Sequence, residues 1–222
     1  NAEAPARLRL SSIDPGQVGT REAACDKALE TLAACRHVCP HLHISMQSGS
    51  PDVLRRMGRG HYHPDQVLDF VARLRDVWPM FALGTDLLTA FPGEEDTHFA
   101  ETMAFLQALP LTYAHVFPFS PRPGTPAFSF PGRLAAPEKK ERARLLRELM
   151  ARKKQAFTRL QAESEAVMEV CIQDAQTGQG VNQWYSTCRV LSSAQPLRAK
   201  ALVRTVCAGP GVMEAAELDS PS

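Results

Sequence analysis

Along the first two-thirds of this chain the apolar positions alternate between a strand-like spacing of two and a helix-like spacing near three and a half. Residues 7–13, 42–46, 81–88 and 113–119 are short apolar runs that read as strands. Between them Val67, Phe70, Val71 and Leu74 recur at i, i+3, i+4 and i+7 behind Pro64, a residue suited to the first turn of a helix. Phe99, Met103 and Leu106 repeat the pattern after Glu94, Glu95 and Asp96, whose charges favour a helix N-terminus. The Ala- and Leu-bearing stretch 22–34 fills the equivalent place between the first two strands. Such alternation predicts an α/β fold with parallel strands joined by helical crossovers. From 136 to 161 the pattern becomes one long helix, with Leu146, Leu149, Met150, Phe157 and Leu160 on one side. After Ser164 the runs 167–173, 184–191 and 199–207, separated by turn-rich 174–180 and 192–196, predict a small all-β domain of the five-stranded barrel kind. The predicted organisation is therefore 1–135, a connecting helix at 136–163, and a β domain at 164–222.

Composition narrows the reading. The chain has 222 residues, 44% of them hydrophobic, enough for one sizeable domain and a small one. Its net charge of +1 carries no global basic signature, so any nucleic-acid contact must come from local charge. No apolar run approaches the roughly twenty residues of a membrane span, and no secretory leader is legible, which makes the cytoplasm the expected location. The six cysteines lack the density of a disulfide scaffold and read as free thiols. Asn1-Ala2 opens the chain without a methionine, as a segment from inside a larger protein would.

Charge is concentrated on the long helix. Lys139, Lys140, Arg142, Arg144, Arg147, Arg152, Lys153, Lys154 and Arg159 outnumber Glu138, Glu141 and Glu148. Two readings fit: a solvated outer face, or a surface that meets RNA phosphates. The expected RNA contacts are Lys139, Lys140, Arg152, Lys153 and Lys154. The β domain argues less for RNA, because after Ser164 its acidic residues outnumber its basic ones.

Candidate chemistry lies where strands end. Gln47-Ser48-Gly49-Ser50 closes one strand in a polar turn, either an ordinary loop or part of a site. Asp86 stands among apolar residues before the Pro92-Gly93 turn, and must be hydrogen-bonded either to structure or to a ligand. In 117–126 a proline-rich loop holds Arg122 at low entropic cost, which suits an anionic partner.

These stretches, with the opening Arg9-Leu10-Ser11-Ser12-Ile13-Asp14-Pro15, resemble the radical S-adenosylmethionine (SAM) methylthiotransferases of the MiaB and RimO type over about residues 7–163. Asp14 stands where that family usually has Glu. Cys39-Pro40-His41-Leu42-His43 and His115-Val116-Phe117-Pro118 are most similar to the MtaB branch, associated with methylthiolation of N6-threonylcarbamoyladenosine beside the tRNA anticodon. The β domain resembles TRAM, a small RNA-binding barrel, mainly by position. The resemblance implies an incomplete TIM-like β/α barrel of the radical SAM type followed by a TRAM/OB-like domain. It implies a SAM pocket lined by Gln47, Ser48, Arg59 and Asp86, with a surface arginine as the other reading of Arg59. The intact enzyme would use two 4Fe-4S clusters and SAM to generate a 5′-deoxyadenosyl radical, abstract hydrogen from an adenine carbon and insert sulfur that a second SAM methylates. The cluster motif C-x3-C-x2-C is not completed here: Cys35 and Cys39 have the first spacing, but Leu42 occupies the third position. Neither they nor His37, His41 and His43 are assigned a metal, and the fragment is expected to lack turnover by itself. Alternatives are a RimO-like enzyme acting on a ribosomal-protein aspartate and a non-catalytic RNA-binding module. The first strand, as a sheet edge, is expected to invite self-association.

Overall fold

In the computed structural model, residues 7–18, 22–164, 166–192, 196–207 and 214–217 are described. Asn1-Ala2 and the centre of the turn expected at 192–196 lie outside them. The elements run β1 (Leu8–Ile13), α1 (Pro15–Val18), α2 (Glu22–Ala34), β2 (Val38–Gln47), α3 (Pro51–Arg56), α4 (Pro64–Val77), β3 (Ala82–Thr89), α5 (Asp96–Ala108), β4 (Tyr113–Pro118), a 3-10 turn (Pro126–Ser129) and α6 (Ala136–Glu163). Five strands come after α6: β5 (Met168–Asp174), β6 (Gln179–Asn182), β7 (Thr187–Ser192), β8 (Leu202–Cys207) and β9 (Glu214–Glu217). Two compact units result, one made of Leu10–Arg36 with Leu42–Lys153 and the other of the remaining described residues. Among the described residues no helix is long and apolar enough to cross a membrane.

The α/β unit holds a four-stranded parallel sheet in the order β1-β2-β3-β4. Helix α4 shows why its segment is helical. His63 caps it by accepting from the Asp65 amide at 3.3 Å, while Gln66 Oε1 reaches back to the His63 amide at 2.7 Å and Pro64 fills the first turn. Its apolar stripe, Val67, Phe70, Val71 and Leu74, is buried, each side chain contributing about 1.5–3 kcal/mol by leaving water. Strand β2 starts four residues earlier than the apolar run suggested, because its extra turns of pleat carry Cys39 and His41, both buried. Helix α3 is too short to show a period, and its sequence signals are confined to its ends, with Pro51 and Asp52 in the first turn and Arg55 and Arg56 in the last.

In the other unit β5-β6-β7-β9-β8 close into a barrel, antiparallel throughout except for the parallel β7–β9 pair. This connectivity is that of a five-stranded Greek-key barrel. Met168, Val170, Ile172, Trp184, Cys188, Val190 and Val203 fill it. Two boundaries differ from the sequence reading for local reasons. Strand β6 begins inside the expected turn, since Asp174 Oδ1 tightens the reversal by accepting from the Gln176 and Thr177 amides at 2.8 and 3.3 Å. The strand expected from Trp184 starts at Thr187 instead. Buried Asn182 holds Trp184 and Ser186 in a turn, its Oδ1 accepting both amides at 3.0 Å.

Candidate active site

Alternation along β2 turns Leu42, Ile44 and Met46 into the helix-covered core, all fully buried, and sends His43, Ser45 and Gln47 to the opposite face of the sheet. Asp86 on β3 meets them there. Its Oδ2 accepts from Ser45 Oγ at 3.3 Å and pairs with His43 Nε2 at 3.1 Å, and a quarter of its side chain (25%) remains accessible. On β4, Tyr113 reaches across β3 to place its hydroxyl 3.0 Å from His43 Nδ1. The register pairs Gly84 with Tyr113 and Asp86 with His115. A Cβ at Gly84 would lie 2.1 Å from Tyr113 Cζ, so the absence of a side chain there lets the ring cross. His115 and Phe117 continue the same face and are exposed.

The strand ends carry the other expected residues. Gln47 takes a left-handed φ of 64°, a conformation uncommon for a non-glycine residue, as β2 turns out of the sheet. Ser48 is buried and committed to that turn. Its Oγ accepts from the Ser50 amide and shares a hydrogen bond with Thr102 Oγ1 on α5, each 3.1 Å long, while Thr102 Oγ1 also accepts from the Gly49 amide. Gly49 is required by close approach, since a Cβ would stand 2.6 Å from that of Phe105. Arg59 folds back to the strand ends, where Nη1 donates to the Ser45 carbonyl at 3.1 Å and to Asp14 Oδ2 at 3.3 Å. Asp14, at the end of β1, accepts from Gly16 N and pairs with His61 Nε2 at 2.8 and 2.7 Å. Partial burial works to raise the Asp14 carboxyl, but the His61 hydrogen bond, the Gly16 amide and the charges of His61 and Arg59 together hold it below its ordinary value. Beneath them buried Tyr62 donates to the Met46 carbonyl, and burial raises its phenol well above the usual range.

A second constellation was not anticipated. Glu94, only 3% exposed, ends the turn after β3; its Oε1 accepts from Thr89 Oγ1 at 3.3 Å, from the Ala90 amide at 3.0 Å and from Arg142 Nη1 at 2.8 Å. Arg142 comes from α6, also donates to Asp96 Oδ1 at 2.7 Å and Glu138 Oε1 at 3.2 Å, and lies over the Phe99 ring. In the sequence, Glu94 reads as a helix-terminus charge and Arg142 as one of the nine cations of the long helix. A signal was present in that Glu94 directly follows the apolar Ala90-Phe91-Pro92-Gly93 turn, where a carboxylate needs a partner.

The remaining expected residues separate. Lys139 Nζ donates to the Phe119 carbonyl at 3.0 Å. Lys153 Nζ caps the end of α5 through the Gln107 and Leu109 carbonyls at 3.0 and 2.7 Å, and burial lowers its pKa. Lys140, Arg152 and Lys154 are exposed, as is Arg122, whose side chain makes no hydrogen bond among the described residues. The thiols of Cys25 and Cys39 are free and buried, and burial pushes both up.

Residues 6–106 match the radical SAM superfamily. That segment belongs to this superfamily. It takes in Asp14, Gln47, Ser48, Arg59, Asp86 and Glu94. The threonylcarbamoyladenosine tRNA methylthiotransferase MtaB of Thermotoga maritima is 42% identical over 142 residues, 64% of this chain and 31% of the relative. The MtaB of Aquifex aeolicus is 38% identical over 152 residues, 68% of this chain and 35% of its own. A tRNA-2-methylthio-N(6)-dimethylallyladenosine synthase of Frankia alni is 40% identical over 128 residues, 58% of this chain and 24% of that protein. The chain thus spans between about a quarter and two-fifths of the length of the curated relatives it matches.

The radical SAM segment implies SAM and an iron–sulfur cluster, and the two fit differently. Among the described residues no group of three or more His, Cys, Asp or Glu is placed to hold a metal, so these residues do not fit a cluster and no step is assigned to one. The donor set at the strand ends does fit SAM. Asp86 Oδ1 makes no hydrogen bond among the described residues, and only Nη1 of the Arg59 guanidinium is engaged. An acceptor and a cation therefore remain for a ligand that bears hydroxyl, ammonium and carboxylate groups.

Proposed function

We propose that this chain is the central and C-terminal part of a tRNA-modifying radical SAM methylthiotransferase, which adds a methylthio group to a modified adenosine beside the anticodon. The observation that carries the reading is the partly accessible Asp86 carboxylate, to whose Oδ1 no described residue donates, in a radical SAM segment, with Arg59 anchored nearby by Ser45 and Asp14. Relatives named for tRNA methylthiotransfer supply the reaction class. Asp86 accepts from a ribose hydroxyl or amino group, Arg59 holds the methionyl carboxylate with its unused N–H groups, and Gln47 donates or accepts at the end of β2. Ser48 contributes by shaping the turn that carries Gln47. SAM, when bound, supplies the radical precursor and the methyl group. Residues 1–135 then form part of the β/α barrel, 136–163 the connecting helix and 164–222 a TRAM-like RNA-binding barrel, a reading that the five-stranded connectivity supports. Phosphate contacts come from the exposed Lys140, Arg152 and Lys154, and β1 is the edge through which copies pair.

Titrating SAM into the full-length protein tests the site. Asp86→Ala is expected to weaken binding about tenfold or more, the range for a hydrogen bond to a charged group. Wild-type affinity in that variant would remove Asp86 from the site.

A further inference from the structure

On the inner face of the sheet a line of polar contacts behind Asp86 brings in two residues, His43 and Tyr113, that the proposed ligand contacts do not use. A hydrogen bond of 3.0 Å joins the Tyr113 hydroxyl on β4 to His43 Nδ1 on β2, and the other ring nitrogen, Nε2, lies in ion-pair contact with Asp86 Oδ2 on β3 at 3.1 Å. Ser45 Oγ donates to the same carboxylate oxygen at 3.3 Å. Three neighbouring strands are joined on one face, and the crossing depends on Gly84, which leaves the Tyr113 ring room above β3.

A neutral imidazole satisfies both links in one tautomer, with Nε2–H donating to Asp86 and Nδ1 accepting from the Tyr113 hydroxyl. The Asp86 carboxylate, which can only accept, selects that tautomer, and the Tyr113 hydroxyl then donates to Nδ1 and holds the ring in place. With Ser45 Oγ donating to Oδ2 and His43 Nε2 packed against the same oxygen, rotation of the carboxylate gives up both contacts. Oδ1, to which no described residue donates a hydrogen bond, is thereby held in one direction. A carboxylate oriented before the ligand arrives loses less entropy on binding than a freely rotating one.

We infer that His43 and Tyr113 are positioning residues: Tyr113 holds the His43 ring, and the ring holds the carboxylate orientation in which Asp86 Oδ1 receives the hydroxyl or amino donors of the ligand. This inference rests on the reading of Asp86 as a SAM contact. Neither residue touches the ligand, so their effect must vanish when Asp86 is removed.

A mutant cycle on SAM affinity in the full-length protein separates the possibilities. Tyr113→Phe deletes only the hydroxyl and is expected to weaken binding roughly two- to fivefold, a span set by one neutral hydrogen bond. His43→Leu removes the donor to Asp86 and should cost more. His43→Gln, whose amide can occupy the Nε2 position, should recover part of that loss. In the Asp86→Ala background all three should be silent. Equal losses in both backgrounds would overturn the positioning role while leaving Asp86 in the site. A silent Asp86→Ala single mutant would overturn the site reading together with this inference. If His43→Leu does not fold, Tyr113→Phe decides alone, since it keeps the ring. A second readout needs no ligand: imidazole 15N shifts of His43 in this chain should report the Nε2–H tautomer, and Tyr113→Phe should move the Nδ1 resonance. A resonance unmoved by that substitution also overturns the positioning role.

Discussion

Replacing Arg142 with Met tests the clamp that closes the turn after β3. The Arg142 side chain is 5% exposed and Glu94 3%, whereas its other acidic partners, Asp96 and Glu138, are 96% and 47% exposed. Water screens the last two pairs, each worth no more than about 1 kcal/mol. The loss therefore comes almost wholly from leaving the Glu94 carboxylate buried, with only the Thr89 hydroxyl and the Ala90 amide as donors. Removing one partner of a buried pair costs about 3–5 kcal/mol, and the two surviving hydrogen bonds place the expectation near the lower end, about 3 kcal/mol. That is a large share of the roughly 5–15 kcal/mol by which domains are stable. Urea unfolding followed by far-ultraviolet circular dichroism measures it. The double variant Arg142→Met with Glu94→Gln should recover most of the loss, because no buried charge remains, giving a coupling energy of about 2 kcal/mol or more. A single mutant destabilised by less than about 1 kcal/mol, or a double mutant worse than the single, would refute the assignment of Glu94 and Arg142 as one buried unit.

Two further outcomes are expected. Neutralising Lys140, Arg152 and Lys154 should flatten the log–log dependence of tRNA affinity on salt by up to about 0.9 for each phosphate no longer neutralised, while Lys153→Met should leave that slope alone and lower thermal stability instead; a salt series with melting curves checks both. Asp14, held below its ordinary value in the folded chain, contributes stability above the unfolded-state pKa and loses it as pH falls through the folded value. The stability gap between wild type and Asp14→Asn should therefore shrink in acid. Because the carboxylate is 36% exposed, the gap should stay within about 1 kcal/mol, and a gap that does not change with pH would sink the idea.

Legibility in the sequence divides along a physical line. Helix α4 was legible because a buried stripe has a period and Pro64 marks its first turn, while the His63–Gln66 capping box emerges only in the structure. The strand ends were legible as places because polar turns interrupt apolar runs. Partnership across the fold was not legible. Ser48 was expected at a ligand, but its hydroxyl is taken by Thr102, which stands 54 positions away. Arg142 finds Glu94 at 48 positions, and no charge pattern on α6 distinguishes it from its neighbours. Strand β6 was hidden for the opposite reason. Four residues containing Gly180 look like a turn, yet the glycine is there because a Cβ would meet the Cys171 carbonyl at 2.5 Å across the pair.

Helix α6 carries this division into function. Its nine cations read from sequence as one surface, but they perform at least two kinds of work. Lys139, Arg147 and Lys153 donate to carbonyls of Phe119, Val116, Gln107 and Leu109, groups at the end of α5 and along or just past β4 that would otherwise face solvent at a helix terminus and a sheet edge. Arg142 locks the turn that comes after β3, the strand carrying Asp86. Arg144 is held between Glu141 and Glu148 on its own helix. The cations left exposed for phosphate are then few, and they sit on a helix whose inward basic residues hold the strand ends in shape. Wholesale charge reversal of α6 would confound the two roles by loosening the candidate site while weakening any RNA contact. Only substitutions confined to Lys140, Arg152 and Lys154 can separate affinity for RNA from the integrity of the site.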